Sequence, residues 1–130
     1  MSEQNASWIG KINDLPTEDI SNHILGGVKR VVFGPDRFWP DYVMRAFTLQ
    51  PGAVAPPNVH EWMHWAVCIQ GEGRIIIDGV EHDFSRGSWM HTPPHINHTF
   101  WNTSDTEEFV LLCIVPPEGD VNPLHGPVAC

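Results

Sequence analysis

The stretch "HEWMHWAVCIQGEGRIIIDGVEHDF", residues 60–84, decides how this chain folds. Its first five residues match H-E-x-x-H, a pattern in which two histidines on one helical face hold zinc and the glutamate between them acts as general base. That reading needs a helix of some length through 60–64. Pro56 and Pro57 stand just upstream and bias the residues before them away from helix, although a proline pair can also open one. The downstream side is decisive. Val67, Ile69 and Ile75 to Ile77 are strand formers, Gly71 and Gly73 interrupt them, and Asp78-Gly79 is a hairpin turn between two apolar runs. The order is strand, break, strand, hairpin, strand, so any helix at 60–64 is a single turn. The zinc-peptidase reading fails on this context.

Working outward, residues 28–34, 41–50, 88–93, 97–102 and 108–116 also read as strands, separated by turns bearing Gly, Pro or Asp at the spacing of a β-sandwich or small barrel. The 12 prolines and 11 glycines agree with short elements. In the first 25 residues "SWIGKI" (7–12) could be a strand, and "LPTEDISNH" (15–23) has an N-cap-like Thr17 but is short for a helix. The last stretch, 116–130, reads as an extended tail. At 130 residues one domain is expected: an N-terminal arm over 1–27, a barrel over 28–116 and a tail over 117–130.

Seven basic against 16 acidic residues give a formal charge of -9, and such a field repels phosphate backbones, which argues against nucleic-acid binding. No apolar run has the length of a membrane-spanning helix, and the opening lacks a basic-then-apolar signal. Three cysteines, Cys68, Cys113 and Cys130, form no obvious framework and read as packing residues, so a reducing cytoplasm is the simplest setting. Histidine is the unusual component: six of eight (His60, His64, His82, His91, His95 and His98) fall within 60–98.

These residues resemble the cupins, which carry two strand-pair motifs, G-x5-H-x-H-x3/4-E-x6-G and G-x5-P-x-G-x2-H-x3-N. Gly52, Asn58, His60, His64 and Gly71 take the first spacing, and Gly87, Pro93, His95, His98 and Asn102 take the second. The departures are as informative as the match. Asn58 stands where the first ligand histidine is usual, His64 where glutamate is commonest, His95 where a turn glycine is usual, and Ser88 replaces an aspartate. The resemblance implies an all-β, single-domain cupin β-barrel (double-stranded β-helix or jelly roll), often a homodimer with the N-terminal strand crossing over, for which "SWIGKIND" is a candidate. It also implies metal ligation by His60, His64 and His98, with Asn58 as a weak fourth ligand or a substrate contact. Glu61 is then not a catalytic base.

Elementary chemistry supports that set. Residues two apart on a strand share a face, so Asn58 and His60 can both point inward. Three imidazoles converging in an apolar interior are costly unless something satisfies them, and a divalent transition metal (Fe, Zn, Ni, Mn, Co or Cu) does so. Among the other residues, His91 either lines the pocket or packs outside. Arg45, alternating with apolar neighbours, either faces solvent, the simpler reading, or is a buried cation awaiting an anion. His91, Arg45 and Asn58 are the candidate substrate contacts. His82 and His95 are expected to be exposed, and Trp62, Trp65, Trp89 and Trp101 to serve packing. Three-histidine iron centres of cupin dioxygenases are what the ligand set most resembles, which makes dioxygenase chemistry on a small oxygenated molecule the first expectation. A redox-neutral isomerase, decarboxylase or lyase, and a non-catalytic small-molecule binding barrel, are the alternatives.

Overall fold

The structure is a computed structural model and describes residues 8–120. Among these, ten strands build two antiparallel sheets: β1 (Glu18–Asp19), β2 (Gly27–Phe33), β3 (Val43–Leu49), β4 (Val54–Asn58), β5 (His64–Gln70), β6 (Gly73–Ile77), β7 (Val80–Asp83), β8 (Trp89–Thr92), β9 (His98–Asn102) and β10 (Phe109–Val115). The larger sheet runs β1-β2-β3-β10-β5-β8 and the smaller β4-β9-β6-β7. Many neighbours come from distant parts of the chain, as in a jelly roll, and the expected all-β barrel is what the chain forms.

Alternation explains the layering. Along β5 the inward residues His64, Ala66 and Cys68 are buried while Val67 and Ile69 are exposed, and β9 buries His98, Phe100 and Asn102. Phe47, Leu49, Leu111, Phe100, Phe109 and Ile75 meet between the sheets, with Phe100 and Phe109 edge-to-face at 6.4 Å. Each such side chain contributes about 1.5–3 kcal/mol by leaving water. Asp78 and Gly79, both at positive φ (51° and 80°), make the tight turn expected between β6 and β7. Gly71 has φ of 88°, and a Cβ there would run into the Glu108 carbonyl, so only glycine lets β5 close onto β10. Asn102, the last residue of the second motif, donates to the carbonyls of Leu49 (3.0 Å) and Glu107 (2.8 Å) and accepts from the Ser104 amide (2.8 Å). Its role is to tie β9 to the start of β10.

The ends depart from expectation. The described part of "SWIGKI" is not a strand; Ile12–Asp14 is a 3-10 turn instead. The segment after Thr17, too short for a helix, is a strand: Glu18 and Asp19 pair with Lys29 and Val28, so the arm contributes an edge strand to this chain's own sheet. The start of the tail is also a 3-10 turn, Pro117–Gly119, and residues 121–130 lie outside the described residues. Cys68 is free and buried, but Cys113 is disulfide-bonded, so it is not simply a packing residue and the cysteine count no longer argues for a reducing compartment. No described helix is long and apolar enough to cross a membrane.

Candidate metal centre

A bulge delivers the first ligand. Between Ala55 and Asn58 the register of β4 against β9 shifts, because Pro56 and Pro57 have no N–H to give the ladder. The chain leaves the strand at Asn58, and His60 sits just beyond it. Its carbonyl accepts from the His95 amide at 2.8 Å. His95 adopts φ of 64°, the left-handed conformation that the motif's usual glycine suits, and its side chain is exposed as expected. His64 opens β5 and His98 opens β9. One nitrogen from each of His60, His64 and His98 lies within 4.8 Å of the others. The rings are 4.6–5.1 Å apart, centre to centre, and turned so that edges rather than faces meet around His98.

Hydrogen bonding fixes which nitrogens face inward. His60 Nδ1 is 2.7 Å from the Trp62 carbonyl and His98 Nδ1 is 3.0 Å from the Ile96 carbonyl. A carbonyl only accepts, so both Nδ1 atoms carry the proton and both Nε2 atoms present a lone pair. His64 Nδ1, 3.2 Å from the bare His60 Nε2, must then be a donor, and this leaves His64 Nε2 a bare nitrogen. That atom is buried and without a hydrogen-bond partner. Carbonyl-anchored imidazoles with inward lone pairs are the arrangement metal-ligating histidines use, and the donor set fits a divalent transition metal.

Burial pushes the His64 imidazole well below its ordinary value, and the neighbouring His98, His60 and Arg45 add to the lowering. His60 is lowered too, chiefly by burial. Because the folded state resists protonation, an unfolded chain binds more protons in the interval below pH 6.5. Stability of the metal-free protein is therefore fully present above about pH 6.5 and falls on acidification, by at most about 1.4 kcal/mol per pH unit for His64. Urea titrations of chelator-treated protein at pH 7.5 and 5.5 check this. A lower midpoint at pH 5.5 in the wild type, reduced in His64→Ala, is the expected result.

The other expected contacts divide. Asn58 is half-buried and directly opposite His98 in the β4–β9 register, which puts the two on one face. His91 is exposed on the outer face of β8 and stacks on Trp65 at 5.5 Å; the structure does not bring it to the cluster. The reading of Arg45 as solvent-facing is overturned. It is wholly buried, lies over the Phe47 ring at 5.1 Å and reaches Asp120 Oδ1 at 3.3 Å. Desolvation pulls its pKa down to about 10, against the opposing pull of Asp120. Sequence reading missed Lys29, equally buried and 2.7 Å from the same Asp120 oxygen. A signal existed: Lys29 and Arg30 are consecutive on a strand, so one of the two must face inward. Trp62, read as packing, lies flat on His60 at 4.9 Å with planes 5° apart.

Two such sheets around three inward histidines that could hold a metal ion define a jelly-roll barrel of the cupin type. The cupin domain family profile matches residues 45–115, more than half of the chain, and the chain belongs to the cupin family. No curated protein matches it in sequence. Among solved structures it is similar to the polyketide cyclase RemF from Streptomyces resistomycificus (18% identity, TM-score 0.74, 84% of this chain and 78% of that one). It is also similar to a predicted oxalate decarboxylase from Thermotoga maritima (17%, 0.74, 83% and 97%). An RmlC-like cupin from Shewanella frigidimarina is a third (18%, 0.69, 84% and 89%). At these identities the likeness is one of fold.

Proposed function

We propose that this chain is a metal-dependent cupin enzyme acting on a small oxygenated organic molecule, with dioxygenase-type chemistry as the first reading. The observation that carries the proposal is the His60–His64–His98 group, with His60 and His98 anchored on carbonyls and the buried His64 Nε2 bare. A divalent transition metal bound there would supply a Lewis acid with open positions, since three neutral nitrogens leave its double charge uncompensated, and iron(II) in such a site suits dioxygen chemistry. The chain's own contributions follow from where its groups sit. The carbonyls of Trp62 and Ile96 hold two imidazoles in one tautomer and orientation, Asn58 offers an amide beside His98, and the apolar walls of Ala66, Met90 and Phe100 exclude water from the interior.

The second reading is redox-neutral isomerase, decarboxylase or lyase chemistry. The wholly buried cation Arg45, which suits an anionic ligand, favours it over a purely passive binding barrel. Metal analysis of freshly purified protein, followed by oxygen uptake with iron(II)-reconstituted protein and catechol or simple hydroxy acids, separates the readings. Iron(II)-dependent oxygen consumption supports the first. Turnover without oxygen consumption supports the second, and tight ligand binding with no co-purifying metal overturns both.

We infer a homodimer as the working state. Trp8, Ile9, Phe33 and Phe38 are exposed together near one end of the larger sheet, more apolar surface than a lone barrel edge carries comfortably. Light scattering at micromolar concentration is expected to give twice the 14.6 kDa chain mass. A monodisperse monomer removes this inference.

A further inference from the structure

Among the described residues, the two largest wholly buried side chains are both cations, Arg45 and Lys29. They stand on adjacent strands, facing inward: Lys29 is opposite Phe47, and Arg45 is opposite Cys113, which is in turn opposite Ala66, two residues from His64. Both converge on Asp120 Oδ1, at 2.7 Å from Lys29 Nζ and 3.3 Å from Arg45 Nη1, and Glu18 lies 3.6 Å from Lys29. Arg45 Nε also donates to the Cys113 carbonyl at 3.4 Å. The Lys29 contact is close but misaligned, since Nζ makes no hydrogen bond.

Asp120 does not belong to the barrel wall. It follows the 3-10 turn Pro117–Gly119, after β10 has ended. That turn packs on Trp62 so closely that a Cβ on Gly119 would lie 2.6 Å from the indole nitrogen. Trp62 in turn lies flat on His60. The carboxylate therefore enters from the side on which the histidines gather. Two desolvated cations do not recommend themselves as a device for stability, because replacing a buried ion cluster with apolar groups is often neutral or better. They do suit recognition of an anion, for which a guanidinium and an ammonium are the usual donors.

We propose that Lys29 and Arg45 form a carboxylate-binding site inside the barrel, filled by Asp120 when no ligand is bound. Building on the metal-dependent function proposed above, the substrate class is a small organic acid. Its carboxylate displaces Asp120 from the two cations, and a second oxygen, hydroxyl or keto, reaches toward His60, His64 and His98. Arg45 and Lys29 thus act as specificity residues, and Asp120 sets the affinity by competing for them. The charge of Arg45 already reaches His60 and His64, adding to the lowering that burial dominates.

The test uses acetate, lactate and neutral ethylene glycol as probes in calorimetry, with zinc-loaded and chelator-treated full-length chain. Asp120→Asn removes the internal competitor and is expected to bind acetate at least tenfold more tightly than wild type, with or without metal, and to leave ethylene glycol binding unchanged. Lactate should gain further over acetate only in the zinc-loaded form. If acetate tightens but lactate shows no metal-dependent gain, the anion site stands and the metal reading fails. If Asp120→Asn binds acetate no better than wild type, the anion site is wrong whatever the metal does. Lys29→Met, which leaves the Arg45–Asp120 pair intact, decides the matter should Asp120→Asn not fold. At least fivefold weaker acetate binding is expected from it, and unchanged affinity overturns the proposal.

Discussion

His98→Ala is expected to give a folded barrel whose affinity for zinc or nickel is at least a hundredfold lower than that of the wild type. His98 is 1% exposed and opens β9, where it pairs with Asn58 on one side and Ile77 on the other. Alanine keeps those backbone pairings, and the core residues Phe100 and Asn102 further along β9 are untouched. The loss is confined to one imidazole, its anchor on the Ile96 carbonyl and the volume it fills. Altering partners that merely orient a ligand costs 10–100-fold in metal affinity, and deleting the ligand itself costs more. Competition against a chelator, with circular dichroism to confirm the fold, reads the effect. His82→Ala, on the exposed β7, is the matched control and should bind metal as the wild type does. Wild-type affinity in His98→Ala would mean that the metal, if one binds, binds elsewhere.

How much of this was legible in the sequence depends on the range of the interaction that carries it. The strands were legible because alternation and turn chemistry are local: Asp78-Gly79 and the strand pattern around it are printed within a few residues of each other. The ends were not, because nothing near Glu18 and Asp19 says that they will pair with Lys29 and Val28. The short 3-10 turns also lack the caps and apolar period by which a helix is recognised. At the centre, the spacing singled out His60, His64 and His98, the three histidines that the fold gathers into one group, and Asn58 lies opposite His98 in the register. The position of His60 was only half right, since the Pro56-Pro57 bulge ends β4 before it and the residue is held by His95 instead.

Arg45 shows where sequence reading runs out. The residue alternates with apolar neighbours, which is equally the signature of an exposed cation on a half-buried strand and of a buried one. What decides is an anion 75 positions away, in a turn after the last strand. Lys29 was discoverable by parity with Arg30, but parity alone leaves open which of the two turns inward. His91 failed for the complementary reason. Its strand face was identified correctly as that of Trp89, yet whether that face was inside or outside rested on β5 taking the opposite side with Trp65 outward.

Asn58→His is expected to raise zinc or nickel affinity tenfold or more while any enzymatic turnover falls at least as steeply. Asn58 ends β4 directly opposite His98, on the same face, and the chain turns inward again two residues later at His60. A histidine at 58 therefore starts from a backbone position that faces the same way as His98. A fourth nitrogen completes the coordination that a structural site prefers, whereas a catalytic metal needs a position left open. Affinity and activity should thus move in opposite directions, an outcome that general destabilisation cannot imitate because it lowers both. Asn58→Ala separates the amide's role from that of the space it occupies. It should keep the metal and lose about 1–3 kcal/mol of ligand binding, the worth of a hydrogen bond to a polarised oxygen. Chelator competition reads the metal affinity of the two variants, calorimetry with lactate reads ligand binding, and turnover is followed by oxygen uptake with the iron(II)-reconstituted protein. If Asn58→His changed neither, the side chain at 58 would not face the metal, and the site would consist of His60, His64 and His98 alone.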